Sequence, residues 1–484
     1  MRNALPLSCF LSYLCVAEAG RCVESNWPQF RGPNSQCVSV DGKPPAQFGT
    51  ATNLLWKVAL PPGHSSPCIW GDRIFLTSFE DGKLQTLCLD RRDGKVFWRV
   101  AAPTEKIEPV HRIGSPACPT PATDGERVYV YFGSLGLIAY DFSGREVWRR
   151  PLPIPLIEFG TGTSPVLAGE SILLLCDQDL NSFLMAVDRR TGHTVWKTER
   201  PEFRRSFSTP YLWRHDGVEE IVVTGTVWLK AYNLKDGKER WKMRGLARVA
   251  NASPTSGDGL LFASSWNIGA DARDHLSLPS WSAFTGENDK DKNGKLTKDE
   301  FPAGPIRDRF TQIDLEKDGF VTEDEWRISE EIFTQAENAL FAVRPGGRGD
   351  ITESHLAWKQ TRGLPYVPSA LFYEGRVYVV KNGGMASCYE AKTGRVLYQE
   401  ERLGALGDYY ASPVAADDKV YFASQQGVVT VVKAGDTFHV LARNDLEEPI
   451  MATPAIVDGH IYLRTANYLS AFGQATKADA LNSR

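Results

Sequence analysis

The chain is poor in the residues that most enzymatic metal and redox sites use. Its 484 residues include five methionines and eight histidines, and no vicinal cysteine pair or C-x-x-C occurs. No Cys/His group has zinc spacing, which excludes a zinc ribbon or finger. H-E-x-x-H, G-x-S-x-G and a P-loop are all absent, so the common metalloprotease, hydrolase and nucleotide-binding signatures are missing. A formal charge of −4 supplies no basic field for a phosphate backbone, and nucleic acid is excluded as a partner. Beyond the N-terminus no apolar run reaches the roughly 20 residues that a spanning helix needs. What the chain does hold is 13 Trp, 42 Gly and 29 Pro, spread as turn punctuation.

The first residues read as an export signal over 1–19. Arg2 supplies positive charge, Ala4 to Ala17 is mostly apolar, and Ala17-Glu18-Ala19 gives the small-x-small cleavage pattern. The mature chain is therefore expected to be periplasmic or extracellular, and monomeric. Seven cysteines remain after cleavage (Cys22, Cys37, Cys68, Cys88, Cys118, Cys176, Cys388), and several lie within apolar strand runs. They read as small core residues, with one or two disulfides left open.

A repeat organises everything else. A Ser/Thr-Pro pair, a turn and an apolar β-branched run recur at Pro67, Pro121, Pro165, Pro210, Pro254, Pro413 and Pro454, and around Ala370 with the proline displaced to Pro368. Each unit reads as four short strands, as in Ser164–Leu167, Ile172–Cys176, Phe183–Val187 and Thr194–Trp196. Its tail recurs as Asp90…Gly94…Trp98, Asp141…Gly144…Trp148, Asp188…Gly192…Trp196 and Asn233…Gly237…Trp241. These aromatics read as packing between sheets. Radial repetition of four-stranded sheets is a β-propeller. The eighth unit stops after three strands, and Leu54–Val58, with its own terminal Trp56, is expected to complete it. A stacked solenoid would need no such completion.

The tail Ala186-Val187-Asp188-Arg189-Arg190-Thr191-Gly192-His193-Thr194-Val195-Trp196 resembles the pyrroloquinoline-quinone (PQQ) enzyme repeat. The resemblance covers nearly all of Trp27 to Phe472 outside one insertion. It implies an all-β, eight-bladed propeller of four-stranded antiparallel blades. It also implies a family holding both calcium-dependent quinone dehydrogenases and cofactor-free members such as the outer-membrane assembly lipoprotein propeller. The opening Asn26-Trp27-Pro28-Gln29-Phe30-Arg31-Gly32-Pro33 resembles exported propellers of this kind.

The fifth unit is far too long, and its excess carries two acidic loops. Asp289, Asp291, Asn293, Lys295 (by its carbonyl), Thr297 and Glu300 match the EF-hand ligand positions, with Gly294 at the sharp turn. A second loop offers Asp314, Glu316, Asp318, Phe320 (carbonyl), Thr322 and Glu325, with Glu316 departing from the usual Asp/Asn. Calcium, a hard cation, takes such oxygen sets. The expected organisation is propeller over 20–266, a small α-helical EF-hand pair over 267–338, propeller over 339–473 and a polar tail over 474–484.

Loops joining each fourth strand to the next first strand converge on the axis. They offer His64, His111, Arg112, Glu158, Arg204, Arg205, Arg248, Tyr366, Asp408, Tyr409, Tyr410 and Glu448 as ligand contacts. No residue stands out as catalytic. One reading is a non-catalytic module that binds a protein or polymer on its face, with calcium ordering the insertion. The alternative is a PQQ- and calcium-dependent dehydrogenase without the cysteine pair that the resemblance would lead one to expect.

Overall fold

The computed structural model describes residues 26–474; the expected export signal and nearly all of the polar tail lie outside them. Eight antiparallel sheets form the blades of a propeller. In the first, Cys68–Trp70, Arg73–Glu80, Lys83–Asp90 and Val96–Ala101 run from axis to rim. The inner and middle strands read as continuous apolar runs because both faces meet neighbouring blades, whereas the rim strands alternate between buried and exposed. The strand Leu54–Ala59 joins Tyr468–Phe472, with Lys57 opposite Ser470, and closes the eighth blade with N-terminal chain.

The Ser/Thr of each repeat has a specific task. The amide N–H of Ser66 donates to Thr120 Oγ1, that of Thr120 to Ser164, and so on through Thr209, Ser253, Ser369, Ser412 and Thr453, which donates back to Ser66. All eight bonds are 2.8–3.1 Å and together form a closed belt around the axis. The sixth repeat keeps its hydroxyl at Ser369 although its proline has moved to Pro368, so the hydroxyl is what the belt uses.

A second belt runs nearer the rim. Trp56, Trp98, Trp148, Trp196 and Trp358 each donate Nε1–H to a carbonyl of the next blade, at Arg91, Phe142, Arg189, Leu234 and Ala391, at 2.8–3.1 Å. The recurring turn glycine of the tail has a cause: Gly192 has φ +73, and a Cβ there would lie 2.6 Å from Trp148. Blade five has a different hairpin. Trp241 consequently donates to Glu220, and Gly349–Asp350 adds to the rim strand Glu239–Arg244 as a parallel fifth strand.

The N-terminal segment crosses the end of the axis away from the insertion. Arg31 is fully buried; it donates to the carbonyls of Pro254 and Ala370, both at 2.8 Å. Gln29 Oε1 accepts from Leu167 N, and Gln36 Oε1 from Thr255. Bridges at Trp27–Ile69 and Val38–Ala415 fix both ends. The described cysteines (Cys37, Cys68, Cys88, Cys118, Cys176, Cys388) are all free, so no disulfide forms among them.

The insertion leaves blade five between Leu260–Ser265 and Ala339–Val343, which pair directly. It contains helices Trp281–Asn288 and Glu323–Gln335 around its own core of Phe284, Phe301, Phe310 and Trp326. Leu296 pairs with Val321 across the two acidic loops.

Replacing Thr120 by Val keeps its shape but removes the acceptor for the buried Ser66 amide. The variant is expected to lose about 1–3 kcal/mol in denaturant unfolding, the cost of an orphaned buried donor, while Thr120→Ser retains stability.

Candidate functional site

The belt of hydroxyls surrounds a cavity of about 890 Å³ on the axis. Phe30, from the segment that crosses the far end, forms part of its wall. Phe159, Phe207, Trp266 and Tyr366 supply aromatic walls, and His64, Arg205, Arg248, Asp408 and Tyr410 add polar groups. At the mouth stand Asp308, Arg309 and Gln312, which belong to the insertion. The fifth blade thus sends the turn between its two acidic loops over the propeller axis.

Of the axial residues named from sequence, His64, Arg205, Arg248, Tyr366, Asp408 and Tyr410 face this cavity. Arg112 instead lines a smaller neighbouring cavity with Arg464. Glu158 pairs with Arg205, and His111 packs against Phe159 at 4.8 Å. Arg204 turns back to the carbonyls of Pro201 and Phe203. Tyr409 is fully buried and donates to Ala405 O, which makes it a packing residue. Glu448 accepts from Thr465 and Asn467. Sequence reasoning did not reach Arg309, Gln312, Trp266 or Phe30. The repeat period identifies the connecting loops but says nothing about where an insertion leans.

Burial sets the electrostatics. It pushes the His64 imidazole down to about 4, with Arg464 adding to the effect, so His64 is neutral at pH 7. Arg248 is lowered to about 10, first by burial and then by Arg309 and Arg205 nearby. Burial, followed by Asp408, raises Tyr410 to about 12. Behind the wall, Thr161 donates to Glu108 Oε2 at 2.7 Å, while Glu108 Oε1 has no partner; burial lifts this carboxyl to about 7.

The insertion is fastened beside the mouth by charge. Arg205 binds Asp179 at 2.6 Å and donates to the Thr311 carbonyl at 3.1 Å. Lys317, inside the second acidic loop, reaches the same Asp179 at 3.2 Å and also bonds Thr311 O. Arg248 donates to Gln312 Oε1 at 2.7 Å and lies over the Phe333 ring.

In the first acidic loop, carboxylate oxygens of Asp289, Asp291 and Glu300 lie within 4.8 Å of one another; among the described residues the second loop is not gathered as tightly. Asn293 Oδ1 accepts from Lys295 N, and Glu300 Oε2 from Thr297 N. In the second loop, Glu325 accepts from the amides of Leu315, Glu316 and Thr322, and Asp318 from that of Phe320. Asp314 is 5% exposed and its Oδ1 has no hydrogen-bond partner, which fits an oxygen set aside for a cation. Both loops therefore present the hard oxygen donors that calcium takes.

A family model described as outer membrane protein assembly factor BamB matches residues 48–215 and 329–480. A curated protein of that name from Alkalilimnicola ehrlichii is 30% identical over 140 residues, 28% of this chain and 33% of that protein. The match thus spans about a third of the relative's length. Among solved structures, BamB from Moraxella catarrhalis aligns with TM-score 0.54 at 12% identity, over 87% of this chain and 99% of that one. A europium-containing methanol dehydrogenase aligns with TM-score 0.56 at 12% identity, over 93% and 98% respectively. At these identities the structures share the fold.

Two tests follow from the geometry. Asp179→Ala leaves Lys317 without its carboxylate and Arg205 with Glu158 alone, and should loosen the insertion: hydrogen exchange over 305–320 is expected to rise well before the propeller melts. Glu108 is raised in the folded state, so its stabilising contribution is complete below about pH 4.5 and is lost as pH rises through about 7. Glu108→Gln should flatten the fall in denaturation midpoint across that window.

Proposed function

This chain belongs to the outer membrane protein assembly factor BamB family, and from that premise we propose that it is an exported, non-catalytic propeller that docks a protein or polymer partner on its channel-mouth face. The observation that carries this reading is the mouth itself. Loops of the propeller and the turn of the insertion together make one broad surface, with Leu156, Ile268 and Leu406 exposed at 49%, 64% and 62%. Exposed apolar side chains amid polar rims are what partner faces present. The family name speaks of outer-membrane assembly, which agrees with an exported location and a protein partner.

Calcium is the proposed ion of the insertion and its role there is structural. Asp289, Asp291, Asn293, Lys295, Thr297 and Glu300 would hold one ion; Asp314, Glu316, Asp318, Phe320, Thr322 and Glu325 the other. When bound, calcium neutralises each acidic cluster and fixes its loop, and Glu300 and Glu325 brace the loops from the amides that they already accept. Exported EF-hand modules commonly bind at about 10⁻⁴ to 10⁻³ M. Stabilisation by linkage then falls on the inserted unit.

The second reading, a PQQ- and calcium-dependent dehydrogenase, draws on the 890 Å³ axial cavity, which has room for a cofactor. Reconstitution with PQQ and calcium, followed by dye reduction on alcohols and sugars, separates the two. Turnover would overturn the non-catalytic reading; silence, together with capture of a protein partner that Leu156→Asp abolishes, supports it. The double change Glu300→Gln and Glu325→Gln should abolish calcium binding in calorimetry while propeller melting stays within a few degrees. Unfolding of the whole disc on chelation would place the ion within the ring instead.

A further inference from the structure

Two arginines stand at the cavity mouth, and neither has a carboxylate partner. Arg248 comes from the loop between blades four and five, and Arg309 from the turn of the insertion; both line the axial cavity. Among the described residues neither forms an ion pair, in contrast to Arg205 beside them, which is held by Asp179 and Glu158 at 2.6 and 2.7 Å. Arg248 donates only to neutral oxygens, Gln312 Oε1 at 2.7 Å and Ile268 O at 3.2 Å, and its buried Nε has no acceptor. Arg309 donates to the carbonyl of Pro305 at 2.8 Å. Arg31 and Arg464 also lack carboxylates, but each is fully buried and aimed at backbone carbonyls of the ring.

Bringing two unpaired cations to one partly desolvated rim is unfavourable unless something compensates them. The mutual effect is visible in Arg248, whose affinity for its proton is lowered by burial and then by Arg309. The carboxylates that share the cavity are otherwise engaged or turned to water: Asp408 accepts from Asn382 and from Tyr410, and Asp308 is exposed. The Arg248 guanidinium lies over the Phe333 ring at 4.7 Å and donates to Gln312 Oε1 and Ile268 O, contacts that restrain it. A guanidinium so held offers the paired N–H groups that match a planar or tetrahedral oxyanion. The cavity beyond is far larger than a bare anion and is walled by Phe159, Trp266 and Tyr366.

We propose that Arg248 and Arg309 form an oxyanion site at the mouth of the axial cavity, for a ligand whose carboxylate or sulfate-like group is attached to an apolar body that enters the aromatic part of the channel. The site belongs jointly to propeller and insertion. It opens onto the face on which a macromolecular partner would dock, but its ligand is held within the channel.

The test is calorimetric titration of the whole exported chain with sodium acetate, sodium benzoate and sodium sulfate, at constant ionic strength in chloride. Saturable one-to-one binding is expected, with benzoate tighter than acetate because its ring reaches the aromatic walls. Sulfate tighter than benzoate identifies a sulfate- or phosphate-type ligand; the reverse identifies a carboxylate. Arg248→Gln and Arg309→Gln should each weaken binding at least about tenfold, as loss of a charge-assisted hydrogen bond does. Arg190→Gln, exposed on the outer rim, should change nothing. Arg309 lies on a surface turn, so that variant decides the matter even if Arg248→Gln folds poorly. Absence of saturable binding for all three anions would overturn the proposal, as would equal affinities in wild type and Arg309→Gln.

Discussion

Eight hydroxyls set the geometry of this molecule. Two residues before each inner strand stands a Ser or Thr whose oxygen accepts the buried amide of the blade before it, and the eighth bond returns to the first blade. Because a hydrogen bond tolerates little change in length, the belt holds eight blades at equal pitch although their loops differ widely. The aromatic belt at larger radius repeats the arrangement, with indole N–H groups reaching the next blade's turn. Blade five shows what the outer belt tolerates. It gave up its tail turn, Trp241 found Glu220 instead, and a borrowed strand covered the rim.

The propeller was legible because its determinants repeat. Ser/Thr-Pro, the tail Gly and the closing Trp recur at spacings that a single sequence displays, and Leu54–Ala59 was identifiable as the strand missing from blade eight. Arg31 was not legible in the same way. Its acceptors are backbone carbonyls more than 200 residues away, and any sequence supplies a carbonyl. The axial list was half resolved for a similar reason: Tyr409 and Tyr410 are neighbours in one loop, yet one is buried and the other lines the cavity. Which of two adjacent side chains faces the axis depends on local backbone direction, and spacing does not encode it.

The insertion is joined to the propeller by more than its two chain connections. Asp179 bridges Arg205 of the propeller and Lys317 of the second acidic loop, and Asp314 follows directly on the short helix Phe310–Ile313. The acidic loop, the turn over the mouth and the rim of the channel are thus mechanically continuous. Small displacements in the loop reach Gln312 and Arg309 without passing through the core of any blade.

The N-terminal segment has a consequence for the order of events in the life of the chain. Arg31 needs carbonyls from blades five and six, and Leu54–Ala59 needs Tyr468–Phe472, the last strand among the described residues. The part of the protein made first is therefore the part that finds its place last. Throughout synthesis, a guanidinium destined for complete burial waits for Ala370, and an unpaired strand edge waits for Tyr468–Phe472. Such an interval suits a holding chaperone, and it makes the closing hairpin, not the first-formed blade, the step that commits the disc to its shape.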